Sequence, residues 1–325
     1  MLDLIKTNPI ELNQRLIADI GGTYARFALL NENGSIQNDV ILNAEDFPDF
    51  VGAYKAYLQQ INNPIITEAA IAIANPINGD NIKMTNHNWA FSIEEVRQNL
   101  QLERLIFKND FAALALSIPF LKRSECYQVG GGEAKLESPI GVLGPGTGLG
   151  VSGLIYSGEK WLPISGEGGH VSLSPTTKKE CQILDFCWQQ YQHVSAERLI
   201  SGSGLKKILE ALCSIKGVKA KPELSPKDIS KMAMNQTDEL CVEALDIFCG
   251  LLGTVAGNLA LTLGAKGGVY IGGGIIPKLG GFFENSSFRE KFEAKGRFND
   301  YLKEIPVFVI QSKHPALLGI SRAFE

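Results

Sequence analysis

Two glycine-rich turns, each caught between apolar strand patterns, limit what this chain can fold into more than any other feature. They are RLIADIGGTYARFALLN at 15–31 and IGVLGPGTGLGVSGLIYSG at 140–158. The first turn holds Gly21, Gly22 and Thr23; the second holds Gly144, Gly146, Thr147, Gly148 and Gly150. Where the Cβ atom is missing, backbone N–H groups can close on an oxyanion, which is how proteins cradle phosphate. Apolar residues resume with period-2 character at 26–29 and 151–155, so neither turn opens a helix. That context excludes the two commoner nucleotide loops. A Walker A loop needs Gly-Lys-Ser/Thr, and Gly-Lys occurs nowhere in the chain; a Rossmann fingerprint needs G-x-G-x-x-G entering a helix.

At 325 residues the chain is long enough for two domains, each with its own core. Hydrophobic residues make up 45%, charged residues 20%, and the net charge is −4. No basic field exists to hold a nucleic acid or an anionic membrane, so an anionic ligand must be met locally. The six cysteines (Cys126, Cys181, Cys187, Cys213, Cys241, Cys249) form no C-x-x-C pair, and His87, His170, His193 and His314 are scattered, so no zinc site is expected. The polar start, with Asp3 and Glu11, lacks the make-up of a secretion signal, and a cytoplasmic protein with reduced thiols is expected. The uncharged run 247–265 has the length of a membrane span. Its Asn258, two threonines and four glycines, between Asp246 and Lys266, favour a helix buried in a domain.

Along the chain, a loose arm up to Gln14 precedes strands at 15–19 and after the first turn, with a third at 34–41. A helix follows at 47–61, a buried strand at 68–74, a helix at 92–100 led by a Ser92/Glu95 capping box, a strand at 104–110 and a helix at 110–118. After the second hairpin the pattern repeats with a larger insertion. It comprises a GEGGH segment at 166–170, helices from 179 to 213, a lysine-rich loop at 216–227 and the long apolar helix. Then come a strand at 267–271, the glycines Gly272, Gly273 and Gly274, a mobile segment at 282–296, a strand at 306–310 and a last helix from Ala316. Two halves of similar order suggest a duplicated architecture.

With these residues in place, the chain resembles the bacterial ATP-dependent glucokinases, the group without a zinc motif, within the superfamily of hexokinase, actin and the heat-shock chaperone ATPases. The resemblance spans nearly the whole chain. It is carried by ADIGGTYARFAL (18–29), TNHNWAFS (85–92), NDFAALALSIP (109–119), GPGTGLGV (144–151), ISGEGGH (164–170), SAERLISGSGL (195–205) and IGGGIIPK (271–278). Singly these are weak; in this order and spacing they are specific. The resemblance implies two α/β lobes of RNase H-like, actin-like ATPase fold with a cleft between them. The expected division is 1–111, with 312–325 returning to it, and 112–311. ATP, Mg²⁺, D-glucose as the small-molecule substrate and a homodimer are implied with it.

Phosphoryl transfer to a sugar hydroxyl needs an acceptor for the proton, a cation on the phosphates and donors around the migrating group. Asp110 stands where an apolar strand gives way to a helix and matches the family's catalytic aspartate, although Asp at a helix start is also a common cap. Asp19, just before the first turn, is expected to face Mg²⁺ directly or through water, the alternative being a local turn bond. Phosphate contacts are expected from Gly21, Gly22, Thr23, Gly146, Thr147 and Gly148, and Gly272 to Gly274 are expected to flank the adenosine. A neutral polyol offers only hydroxyls, so a selective site needs carboxylate acceptors beside mixed donors. Glu167, His170, Glu197 and Asn109 meet that need. Trp89 could stack on the sugar but is read as a core aromatic, and for Arg26 an exposed strand position is as consistent as a site role; neither is placed in the site. The competing readings are a kinase of the same fold acting on mannose, fructose or an amino sugar, and a sugar-sensing repressor, which would require an additional helix-turn-helix module.

Overall fold

The computed structural model describes residues 14–325, so the expected N-terminal arm lies outside the described residues. The described residues divide into two compact units, one running up to Ala113 together with 314–325, the other 114–313.

In the first unit, β1 (Gln14–Ile20), β2 (Tyr24–Leu30) and β3 (Ile36–Asn43) form an antiparallel meander. Helix α1 (Phe50–Gln60) leads to β4 (Ile66–Ile73); a small hairpin of β5 (Asn81–Lys83) and β6 (Ala90–Ser92) and helix α2 (Ile93–Asn99) lead to β7 (Arg104–Asn109). The sheet order is β3-β2-β1-β4-β7, with β1, β4 and β7 parallel. Each helix start has a local cause. Asp49 accepts from the Gly52 N–H to cap α1, and Ser92 accepts from the Glu95 N–H at 3.0 Å to cap α2. One sheet face buries Phe27, Phe50, Tyr57 and Trp89, with Phe27 stacked on Tyr57 at 5.3 Å. Trp89 is thus a core residue, its indole N–H donating to the Phe47 carbonyl at 3.0 Å. The other face buries Ile17, Ala28, Ala70 and Ala72 against Leu317 and Ile320 of the C-terminal helix (Pro315–Ser321). Helix α3 (Asp110–Ser117) begins in this unit directly at the end of β7.

In the second unit β8 (Cys126–Val129) precedes a meander of β9 (Ile140–Pro145), β10 (Leu149–Tyr156) and β11 (Trp161–Ser165). Helices α4 (Lys178–Trp188), α5 (Ala196–Leu199), α6 (Gly202–Ile215), α7 (Pro226–Met234) and α8 (Glu239–Leu263) follow. Then come β12 (Val269–Ile271), α9 (Gly281–Glu284), α10 (Phe288–Glu293), α11 (Asn299–Lys303) and β13 (Val307–Ile310). The order is β11-β10-β9-β12-β13-β8, with β9, β12 and β13 parallel. Apart from β8 at the edge, this repeats the first sheet: third, second, first, fourth, fifth.

Helix α8 contains the uncharged run and is long and apolar enough to cross a bilayer, yet Leu245, Phe248, Leu252 and Ala256 are fully buried in this unit's core. Its glycines Gly250, Gly253 and Gly257 lie against α10 and the residues flanking it. The segment 282–296, expected to be mobile, is instead built into that core. Phe283, Phe288 and Phe292 are fully buried, and Phe283 and Phe288 meet at 4.6 Å between ring centres. Phe288 and Phe292, four residues apart, share one face of α10, and their carbonyls stand against Gly253 and Gly257 of α8.

Candidate active site

In the first unit the candidate residues gather at the carboxyl ends of the parallel strands. In register, Ile20 of β1 stands beside Ile73 of β4, and Ile73 beside Asn109 of β7. Asp19 and the first glycine turn therefore lie about 10 Å, two strand spacings, from the start of α3. This is the end of an open α/β sheet at which ligands bind.

Asn109 and Asp110 divide the helix start between them. The Asn109 Oδ1 accepts from the N–H groups of Phe111 at 2.9 Å and Ala112 at 3.2 Å, and Asp110 Oδ1 accepts from Phe111 at 2.9 Å. Asn109 is thus the principal cap, and its side-chain NH₂ is the part left to donate outward.

Asp19 sits directly across the hairpin from Arg26. Burial pushes its carboxyl up to about 6, with the Arg26 charge opposing the rise. Of the two readings open for Arg26, the exposed strand position is not the one found. Its side chain is 19% exposed, and its Nη1 donates to His314 Nδ1 at 2.5 Å, which requires the imidazole to carry any ring proton on Nε2. No sequence signal joins residues 288 positions apart.

The turns themselves need one refinement. The N–H of Gly21 donates to the Tyr24 carbonyl at 2.9 Å, that of Gly146 to Gly148 at 2.8 Å, and that of Gly272 to Leu143 at 2.9 Å. One glycine N–H at each cluster is therefore already engaged, Gly21 and Gly146 within their own turns and Gly272 on β9. The N–H groups that follow (Gly22 and Thr23, Thr147 and Gly148, Gly273 and Gly274) donate to nothing among the described residues. Those are the donors available to an anion. A Cβ on Gly22 would stand 3.0 Å from Asn86, tight enough that Asn86 would have to give way, and Asn86 and His87 line a recess of about 630 Å³ beside the turn.

The second unit brings its candidates together through Leu149, the first residue after the turn. Its N–H donates to Glu197 Oε2 at 2.9 Å, and a Cβ on Gly169 would overlap its carbonyl. Glu167, Gly168, Gly169 and His170 form one tight turn, with the His170 N–H donating to the Glu167 carbonyl at 3.0 Å. The chain beyond it pairs with the segment entering α5: Leu173 donates to Val194, and Ala196 to Val171. Glu167, His170 and Glu197 are thereby fixed beside the Gly146–Thr147–Gly148 turn. Gly273 has φ +81° and no room for a Cβ against the Pro145 carbonyl, so the third glycine cluster packs backbone to backbone on the end of β9. Gly202 was not singled out in the sequence. Its N–H holds the Gly146 carbonyl at 2.9 Å, and the only sequence signal is the SGSG run at 201–204.

Two units of one sheet order, each with a glycine turn at the carboxyl end of its first strand, define an α/β protein of the actin-like ATPase fold. The glucokinase family model matches residues 16–325. The chain is 49% identical to a glucokinase of Chromobacterium violaceum over 307 residues, 94% of this chain and 88% of that one. It is 51% identical to a glucokinase of Campylobacter jejuni subsp. doylei over 312 residues, 96% and 94% of the two chains. Among solved structures, the glucokinase of an Antarctic psychrotroph superposes with a TM-score of 0.86 at 34% identity, covering 96% of this chain and 98% of that one. The chain belongs to the glucokinase family.

Proposed function

We propose that this chain transfers the γ-phosphoryl group of ATP to the 6-hydroxyl of D-glucose, giving glucose 6-phosphate, the entry step of glycolysis. The observation that carries the reading, within the family, is the set of turn N–H groups that donate to nothing among the described residues. Those of the two hairpins follow the first strand of each sheet, with a carboxylate at the end of the parallel strand two places away in one unit and carboxylates and an imidazole beside the turn in the other.

In this reading the N–H groups of Gly22, Thr23, Thr147 and Gly148 hold the phosphate oxygens, and Gly273 and Gly274 flank the adenosine. Asp110 accepts the 6-hydroxyl proton as that oxygen bonds to the phosphorus and the bond to ADP breaks. Glu167 and Glu197 accept from ring hydroxyls, His170 and the Asn109 NH₂ add donors, and positioning supplies most of the rate. Glu197 already accepts from Leu149, so a sugar hydroxyl bonded to it is referenced directly to the phosphate turn.

Asp19 suits Mg²⁺. Its carboxylate is half-buried, destabilised as an anion and bonded to no donor among the described residues. An ion there would be met by this one carboxylate and by the phosphates. When bound, the ion neutralises charge on the phosphates. A cytoplasmic protein with reduced thiols is the setting, and a homodimer the assembly, that we infer.

The deciding experiment compares kcat/KM for glucose, mannose, fructose and glucosamine with ATP in a coupled ADP assay. Glucose should rank first. An equal or higher value for another sugar would overturn the assignment.

A further inference from the structure

On one face of the second sheet Leu114 lies against Gly272, at the end of β12. Helix α3 ends at Ser117, and Pro119 turns the chain away, so the β13 and β8 side of that face is left as a recess of about 560 Å³. Its floor is a ring pair on adjacent parallel strands, Tyr270 of β12 and Phe308 of β13, stacked at 4.8 Å with 29° between planes. Ile118 and Leu121 form an apolar wall, while Lys122 and Arg123 stand at the lining.

Lys122 lies in the field of Glu125, whereas Arg123 has no carboxylate within ion-pair distance among the described residues. The nearby Glu125 already accepts from Ser312 Oγ and from the Lys122 backbone N–H, both at 2.8 Å. Glu133 is the one acid in the lining, so cations outnumber it. The volume falls within the range of small-molecule sites, which pair an apolar floor with a few polar groups that fix orientation. Aromatic floors take flat rings by offset stacking, and a guanidinium beside them takes carboxylate or phosphate.

From the ring pair and the two cations, we propose that this recess binds a small planar aromatic anion, at a site separate from the nucleotide and sugar residues. None of its lining residues belongs to the glycine turns or to the candidate sugar-binding set.

The test uses 2-naphthoate as probe in saturation-transfer NMR on the full chain, with saturating glucose and the non-hydrolysable ATP analogue AMPPNP present. Ring-proton saturation should persist under those conditions. It should vanish in Ala134→Trp, which fills the recess from an exposed lining position, and the Kd should rise about tenfold or more in the Lys122→Glu/Arg123→Glu double variant. Absence of signal at millimolar probe, displacement by AMPPNP, or an unchanged signal in a folded Ala134→Trp protein would overturn the site. Should that variant not fold, an unchanged Kd in the charge-reversed protein would do the same.

Discussion

Asp110 and Asn109 are neighbours at one helix start, and the hydrogen bonds separate what each is for. Asn109 holds two N–H groups of α3 and Asp110 shares one of them, so removing the Asp110 charge leaves the cap in place. Asp110→Asn should lower kcat by about 10² to 10⁴-fold with the glucose KM nearly unchanged. Near-normal turnover would take the general-base role away from it. Asn109→Ala should instead cost about 1 kcal/mol of stability through the lost cap, visible as a lower Tm even without substrate. Asp19 offers a test by pH. Its folded-state value of about 6 lies above the ordinary 3.8, so between those values the folded protein binds a proton that the unfolded chain does not. Its contribution therefore makes stability fall as pH rises through that window, and Asp19 is a source of strain at neutral pH when no cation is bound. Asp19→Asn should raise the Tm of the ligand-free protein at pH 7, with the gain shrinking toward pH 4, while ATP-dependent activity collapses. An equal Tm for the two proteins at pH 7 would show that burial of this carboxylate is not costly.

Helix α8 shows how an element can be legible in outline and obscure in detail. Its uncharged run and its asparagine and threonines announce a buried helix, which the structure bears out. What the run does not announce is its partner. Gly250, Gly253 and Gly257 recur at helical spacing, and a Cβ on Gly253 would overlap the Phe288 carbonyl. Alanine normally stabilises a helix interior by about 1 kcal/mol relative to glycine. Here the close approach of α10 reverses the sign, because the obstacle is backbone and cannot rotate away. Gly253→Ala should lower stability by about 1–3 kcal/mol in denaturant unfolding, and a gain would mean that α10 is not held against this face. The same physics explains the misread segment 282–296. Its short helices carry charged residues between the phenylalanines, and only the glycine stripe on α8, dozens of residues earlier, provides the surface that orders them. The hairpins, by contrast, were readable at once, since turn chemistry and strand alternation are both local. The engagement of one glycine N–H at each cluster was not readable, because it depends on the partner carbonyl's placement.

At the level of the whole chain, the first unit is made from both ends of the sequence. Its sheet is complete by Asn109, yet one face would stay bare without residues 314–325. Family likeness suggested that return; no local pattern could, since the contacts join residues some three hundred positions apart. Leu317 and Ile320 are 1% and 0% exposed and meet Ile17, Ala28, Ala70 and Ala72, four residues of which three are alanines. Such small residues leave a shallow surface that only the bulk of the returning helix can fill. Truncating a buried Leu or Ile to Ala costs about 2–5 kcal/mol, so two in one cluster approach the whole stability of an ordinary domain, about 5–15 kcal/mol. The full chain carrying Leu317→Ala and Ile320→Ala should therefore lose hydrogen-exchange protection in β1, β2 and β4, while α8, whose core lies in the other unit, keeps its own. Loss of function should follow at Asp19 and the first glycine turn, which ride on β1, before it reaches Glu197 and the second turn. Uniform loss of protection across both units would mean that the two cores unfold as one, and retained protection in β1 would mean that the returning helix is dispensable.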